Sequence, residues 1–364
     1  MSYAAVAKPA WEDAIPGPNR IHLDRLTGAL GIFQHAHGRD PALEHGYCTD
    51  DVARALVVDC AHHARTRDPA IGVAIERDLA FLEQAYSFDS GRFRNLRSAD
   101  GDWLDEAGTE DSHGRAIFGL AYLLRHAPSS TWAELADALL IWALPAALEL
   151  RYARPTAYAT LGCLLIPPDA RASRRSDGVL EYAAMWLERM MDAPHADWPW
   201  PDEVVTYDNG ALPRALIEAG RYLRRPRMLG LGLRSLDWLF GAQTVSGQLR
   251  PIGNRGWWPR DGMPARYDQQ PIEAASLLEA ALAAWRATGE PVWEVRSRMA
   301  FGWFLGANDN GVAMADPEDG SCQDGLAEGG PNGNRGAEST LAWLMSVESM
   351  AAFDQERPAT AVRR

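Results

Sequence analysis

Tyr47-Cys48-Thr49-Asp50-Asp51-Val52-Ala53-Arg54 leads into VARALVVDCA, Val52–Ala61, a segment that is apolar on nearly every helical face. A helix with no polar side is surrounded by protein. The same arrangement, a polar signature and then an all-apolar helix, recurs along the chain. Glu110-Asp111-Ser112-His113-Gly114-Arg115 precedes Ala116–Leu124, and Ala153-Arg154-Pro155-Thr156-Ala157-Tyr158 runs into Ala157–Ile166. Thr206-Tyr207-Asp208-Asn209-Gly210 precedes Ala211–Ala219, and Arg266-Tyr267-Asp268-Gln269-Gln270 precedes Ala274–Trp285. Gly333-Asn334-Arg335-Gly336-Ala337-Glu338-Ser339 precedes Leu341–Met350. Recurrence at intervals of some tens of residues is the signature of a repeat architecture.

Between these segments lie helices of another kind. Ile21–His37, Ala74–Tyr86, Thr131–Leu148, Gly178–Met191, Met228–Phe240 and Pro291–Leu305 carry apolar residues at three and four spacing, with charges opposite. Such helices belong on an outer layer. The loops from outer to inner helices are long and rich in Gly, Trp and Asn. The return links are short and contain Pro, as in Arg225-Pro226 and Gly289-Glu290-Pro291. In an up-and-down array alternate loops share an end, so all the polar signatures converge on one rim. An open solenoid would leave terminal faces needing caps, whereas inner helices apolar on both flanks favour closure. The predicted fold is all-α: an (α/α)6 toroid of six helical hairpins in one domain, 21–355, with an N-terminal extension, 1–20, and a tail, 356–364.

At 364 residues and 47% hydrophobic content the chain has ample material for a core. Lys and Arg number 36 against 49 Asp and Glu, a net charge of −13 with no basic stripe. That argues against nucleic acid and anionic membrane as partners. No leader-like start and no run of about 18 apolar residues is evident, so no membrane insertion is expected and the location is read as cytoplasmic. Cys48, Cys60, Cys163 and Cys322 lack CxxC spacing and read as reduced thiols. His45, Cys48, His113 and Cys322 lack the short spacing of a zinc site, so neither metal nor other cofactor is expected.

The rim signatures carry the chemistry. One acid per helix is explained by capping and the macrodipole. Doubled acids beside His, Arg, Tyr and Asn are not. Asp50, Asp51, Glu110, Asp111, Asp208 and Glu338 are the catalytic candidates, with Asp50 or Asp51 and Glu110 or Asp111 as the acid/base pair. Facing carboxylates suit glycoside chemistry: one protonates the leaving oxygen, while another attacks or activates water. Packing is the better account of any single one of Trp198, Trp200, Trp257 and Trp258, while the set as a whole favours at least one flat face for a sugar ring. His45, Tyr47, His113, Arg115, Tyr207, Asn209, Asp268, Gln269, Gln270, Glu273, Asp324, Asn334 and Arg335 complete the binding candidates as hydroxyl partners. The Gly-dense segment around Asp324 and Asn334 lacks a P-loop Lys and reads as a tight loop lining the pocket.

Over nearly its whole length the sequence resembles the six-hairpin glycosidase-like superfamily. The blocks HGYCTDDVARAL (His45–Leu56), EDSHGRAIFGL (Glu110–Leu120), TYDNGALPRAL (Thr206–Leu216), YDQQPIEA (Tyr267–Ala274) and NRGAESTLAWL (Asn334–Leu344) look like a bacterial group often found with glycosyltransferases. Asp50-Asp51 is similar to the adjacent aspartates of α-mannanases of this fold. The resemblance implies a carbohydrate ligand and a glycosyltransferase as a partner; the clustered carboxylates and Trp loops point to a glycoside hydrolase acting on a short oligosaccharide or glycoconjugate. The alternatives are a sugar epimerase of the N-acylglucosamine 2-epimerase type, with His45 and His113 as bases, and a non-catalytic glycan-binding protein. A zinc-dependent protein-modifying cyclase is the most distant of them.

Overall fold

The structure, a computed structural model, describes residues 15–192 and 198–356. The first fourteen residues, the loop residues 193–197 and the tail from 357 onward lie outside the described residues. Among the described residues twelve α-helices follow one another: α1 (Ile21–Leu26), α2 (Thr49–Thr66), α3 (Ile71–Ala85), α4 (Glu110–His126), α5 (Ser130–Ala143), α6 (Ala153–Leu165), α7 (Ser173–Met191), α8 (Ala211–Tyr222), α9 (Pro226–Gln243), α10 (Pro271–Thr288), α11 (Pro291–Phe304) and α12 (Ala337–Glu356). The even-numbered helices form the inner layer. Each packs on the next, α2 on α4, α4 on α6, α6 on α8, α8 on α10 and α10 on α12, and α12 returns to α2. The ring is therefore closed. Helices α3, α5, α7, α9 and α11 each pack outside the inner helix that precedes them, and α1 packs on α12, joining the two ends of the chain.

Local chemistry explains the helix limits. Asp50 and Asp51 occupy the first turn of α2, where acids suit the dipole. Arg67 then ends that helix in the left-handed region at φ 58°. The Thr109 hydroxyl accepts from the Ser112 amide and opens α4. Pro sits in the first turn of α9, α10 and α11, where its missing amide costs nothing. Gly289 caps α10 at φ 71°.

Two predicted helices are corrected. Ile21–His37 is helical only over Ile21–Leu26; Thr27 turns extended and pairs with Ile32. Gly28 makes this turn possible, since a side chain there would collide with the Phe33 ring and the Tyr47 hydroxyl. The helix predicted over Thr131–Leu148 stops at Ala143, and a 3-10 turn spans Leu144–Glu149 with Pro145 in its first turn. By length and composition alone Ser130–Glu149 is apolar enough to span a membrane, although here it is the outer helix α5 and the turn after it. Part of the predicted extension is docked on the ring: Arg20 forms an ion pair with Asp59, which is fully buried.

Among the described residues the rim loops hold seven two-stranded ribbons, each strand only two residues long; five are hairpins within one loop and two join different loops. Tyr47–Cys48 pairs with Leu96–Arg97, and Val204–Val205 with Trp258–Pro259. These pairings set the spacing of the signatures around the mouth.

Inner helices approach one another closely. A Cβ at Gly114 of α4 would lie 2.5 Å from the Pro155 carbonyl oxygen of α6. Gly114→Ala is therefore expected to cost about 1–3 kcal/mol through overpacking, read as a lower urea midpoint at unchanged slope.

Candidate active site

Four inner helices and the turn before α8 bring charged and phenolic side chains to the rim end of a central cavity of about 450 Å³. Arg115, on α4, joins three groups. Its Nη2 donates to Asp208 Oδ2 at 2.6 Å, its Nε lies 3.8 Å from Asp50, and its guanidinium stacks 4.2 Å over the Tyr158 ring. The Tyr158 hydroxyl donates to the same Asp208 oxygen at 2.7 Å. Arg54, one turn along α2, donates to Asp51 at 2.7 Å and to Glu338 of α12 at 2.8 Å. Tyr207 donates its hydroxyl to Asp111 and lies under the Arg154 guanidinium at 4.3 Å.

Asp208 is held in the left-handed region at φ 53°. That conformation is uncommon outside glycine and persists only where surroundings enforce it. Here the buried Glu273 carboxylate accepts from the Asp208 amide and from Asn209 Nδ2. Burial, with Asp208 nearby, raises Glu273 to about 8. Glu273 and Asn209 thus position Asp208 from beneath.

Among the rim acids Asp50 is distinguished by its environment. Burial raises it from the ordinary carboxylate value to about 6, against the pull of Arg115 and Arg54, with Asp51 and Asp111 adding to the rise. Its side chain is still one-fifth exposed. Asp51 is also raised by burial, but it is committed to Arg54 and to the Cys48 thiol, at 3.1 Å. Asp50, Asp111 and Asp208 each keep a buried Oδ1 with no protein partner. Buried polar atoms are normally bonded, so these three oxygens set the cluster apart, and Asp208 is the member of it that lines the cavity.

Several predicted residues are moved away from the cavity. His113 is fully buried, bonds the Ala143 carbonyl oxygen at 3.1 Å and packs on Phe93; burial, with Arg92, lowers it to about 4. Glu110 accepts from the Arg151 and Tyr152 amides and so secures the approach to α6. Trp198, Trp200 and Trp258 gather around Trp238 of the outer helix α9, with the Trp258 and Trp238 rings stacked at 5.1 Å. Burial of large rings outside the barrel outweighs stacking on a ligand. Tyr47 is core, stacked on Phe33. Gln269 is buried between Trp303 and Asp309. Asp324 accepts from Gly336 and Ser339 at the start of α12, Asn334 accepts from Gly38, and Arg335 donates to Ser321; these three shape the loops. Asp268 is half-buried against Gly325, and Gln270 caps α10.

Trp257 is the partly exposed ring left near the mouth, 6.3 Å from Tyr207. Trp257→Ala is expected to raise KM about 2–10-fold with kcat retained, the worth of one ring contact. Trp200→Ala should instead cost about 3–5 kcal/mol of stability.

Sequence reasoning missed Arg54, Arg154, Tyr158 and His35 as site residues. The first three stand inside the quoted signatures, and Arg154 and Tyr158 have the four-residue spacing that puts both on one helix face. His35 fell inside a helix that does not form. It meets His45 edge-on at 4.8 Å, and burial, then His45, lowers its pKa while Asp324 and Glu338 oppose. The residues of the zinc alternative do not converge: among the described residues no group of three or more His, Cys, Asp or Glu is placed to hold a metal.

No protein-family model matches the chain, and no curated protein matches it in sequence. Solved structures do. The chain is similar to a cellobiose 2-epimerase from Bacillus thermoamylovorans, with a TM-score of 0.71 and 9% identity over 92% of this chain and 96% of that one. It is similar to a GH76 α-mannanase from Bacteroides thetaiotaomicron, with a TM-score of 0.64 and 10% identity over 92% and 94%. An α-1,6-mannanase of Salegentibacter sp., an inactive variant with two adjacent aspartates changed to asparagine and in complex with α-1,6-mannotriose, has a TM-score of 0.59 and 13% identity over 92% and 96%. The fold is an (α/α)6 toroid of six helical hairpins, shared with these structures.

Proposed function

We propose that the chain is a carbohydrate-active enzyme, a glycoside hydrolase that cleaves a short oligosaccharide or glycoconjugate at the rim. The carrying observation is Asp50: a carboxyl raised to about 6, within electrostatic reach of Asp111, each with a buried oxygen that no protein group satisfies. Asp50 holds the proton and gives it to the glycosidic oxygen as the bond breaks. Asp111, oriented by the Tyr207 hydroxyl, attacks the anomeric carbon or takes a proton from the attacking water. Arg115 and Asp208 hold the sugar and keep Asp50 in place. The inactivity of the similar mannanase that lacks its two adjacent aspartates supports a central role for the Asp50-Asp51 pair. In that pair Asp51 is the positioning member, since its oxygens serve Arg54 and Cys48.

The similarity to a cellobiose 2-epimerase favours a second reading, proton transfer at a sugar carbon. That chemistry needs bases on opposite faces of the carbon. His113 is enclosed in the core, and His45 and His35 are in edge contact on one side. Hydrolysis is therefore the better-supported reading. Incubation of mono- and oligosaccharides in deuterated water separates the two. New reducing ends support hydrolysis; deuterium on a sugar carbon without cleavage supports epimerisation; binding without either supports a glycan-binding protein. The four free, buried thiols support a reducing, cytoplasmic location. A glycosyltransferase partner is the further implication of the resemblance, and co-purification of the two proteins tests that.

A further inference from the structure

The central cavity is longer than a sugar site requires. Its lining includes Arg54 and Glu338 near the N-terminal ends of α2 and α12, and Arg65 and Glu356 at their C-terminal ends. From Glu338 to Glu356 is roughly 25 Å, at about 1.5 Å per helical residue. With a volume of about 450 Å³, this is a narrow channel along the axis of the ring.

Its wall changes character with depth. The mouth carries Arg115, Asp208 and Glu338. Behind them the wall is formed by Val57, Phe118, Leu161, Leu341 and Met345. Alanines such as Ala61, Ala64, Ala342 and Ala352 keep the lumen open where larger side chains would fill it. The charged groups deeper down are engaged with one another: Arg214 with Glu279 at 3.1 Å, Arg65 with Glu348 at 2.8 Å, and Arg286 with Glu356 at 2.9 Å. A sugar ring presents hydroxyls in several directions and needs partners for each. The polar groups of this wall, Tyr122, His126, Ser276, Glu279 and Ser349, are interspersed among apolar side chains, and apolar surface predominates. A hydrocarbon chain needs only removal from water.

We propose that the channel takes the apolar chain, alkyl or isoprenoid, of an amphipathic glycoside whose sugar lies at the mouth. The inference rests on the reading of the mouth as a glycan-cleaving site and names its substrate class. The chain enters first, and its insertion sets the glycosidic oxygen beside Asp50.

The test is calorimetric titration of the full chain with n-alkyl mannosides from methyl to decyl, below their micelle-forming concentrations, and with farnesyl mannoside. Mannose is chosen from the mannotriose held by the similar α-1,6-mannanase. Kd is expected to fall about threefold to fourfold for each methylene that enters, until the channel is full. Tighter binding of the farnesyl than of the decyl compound assigns an isoprenoid chain, and the reverse assigns an alkyl chain. Ala342→Phe and Ala61→Phe, on different helices and checked for folding by circular dichroism, are expected to flatten the series. A decyl mannoside with a terminal photoreactive diazirine should label α2 or α12 near Ala61 or Met345 in the unaltered protein, seven residues or about 10 Å below Arg54 and Glu338. Affinity independent of chain length, an unchanged slope in folded plugged variants, or labelling on the outer helices each overturns the proposal. Short-glycan cleavage with no chain-length dependence overturns this inference and leaves the hydrolase reading standing. Chain-dependent binding with no cleavage of any glycoside overturns hydrolysis and leaves the channel.

Discussion

Asp50→Asn is expected to lower kcat about 100- to 10,000-fold, the contribution of a positioned general acid, with the fold intact. The amide keeps the size of the carboxyl and loses its proton. Stability should be unchanged or slightly higher at pH 7 to 8, and the sign follows from the direction of the shift. Burial raises Asp50 to about 6, so the folded state binds its proton more tightly than the unfolded chain does. Stability is then lost as pH rises from about 4 through 6, and asparagine removes that loss. The same value shapes the activity of the unaltered enzyme: kcat/KM should fall about tenfold per pH unit above 6, as the acid loses its proton. A pH–rate profile with no inflection near 6 would remove Asp50 from this role.

Arg115→Leu should be the most destabilising change at the mouth, by about 3–5 kcal/mol. The guanidinium is the ion-pair partner of Asp208, whose side chain is 1% exposed. Removing it leaves a buried carboxylate supported by Tyr158 alone and strips the face of that ring. Urea unfolding measures the loss. Adding Asp208→Asn to Arg115→Leu should recover most of it, because the uncompensated charge is then gone; additive losses would show that the pair does not act as a unit. Arg115→Lys keeps the charge but not the planar stack or the fork, and an intermediate loss is expected.

The ring was legible because its periodicities are long and consistent. Segments such as Ala274–Trp285 are apolar all round, and the loop asymmetry assigns every signature to one end without knowledge of any contact. Where a single residue overrode the pattern, reading failed. Ile21–His37 has helical spacing, yet Gly28 admits the Tyr47 hydroxyl and Phe33 to a place where a helix would put side chains. The acids were found because doubled carboxylates exceed what capping needs. The Trp residues were misread, since Trp198 and Trp258 look alike in loops whether they face a sugar or Trp238, which lies on an outer helix. His113 shows the same limit: helix rotation decides between cavity and core, and its adjacency to Ala143 arises from tertiary packing. Arg54 and Tyr158 became visible only once α2 met α12 and α6 met α8, bringing Glu338 and Asp208 within reach.

Cleavage of a glycosidic bond by the Asp50 and Asp111 carboxylates is measured by mass spectrometry of oligosaccharides incubated in oxygen-labelled water. The unaltered protein and the Asp50→Asn, Asp111→Asn double variant are compared. Label is expected at the anomeric carbon of the released sugar with the unaltered protein and at background with the double variant. Labelled product formed at an undiminished rate by the double variant, folded to the same melting temperature, would contradict it.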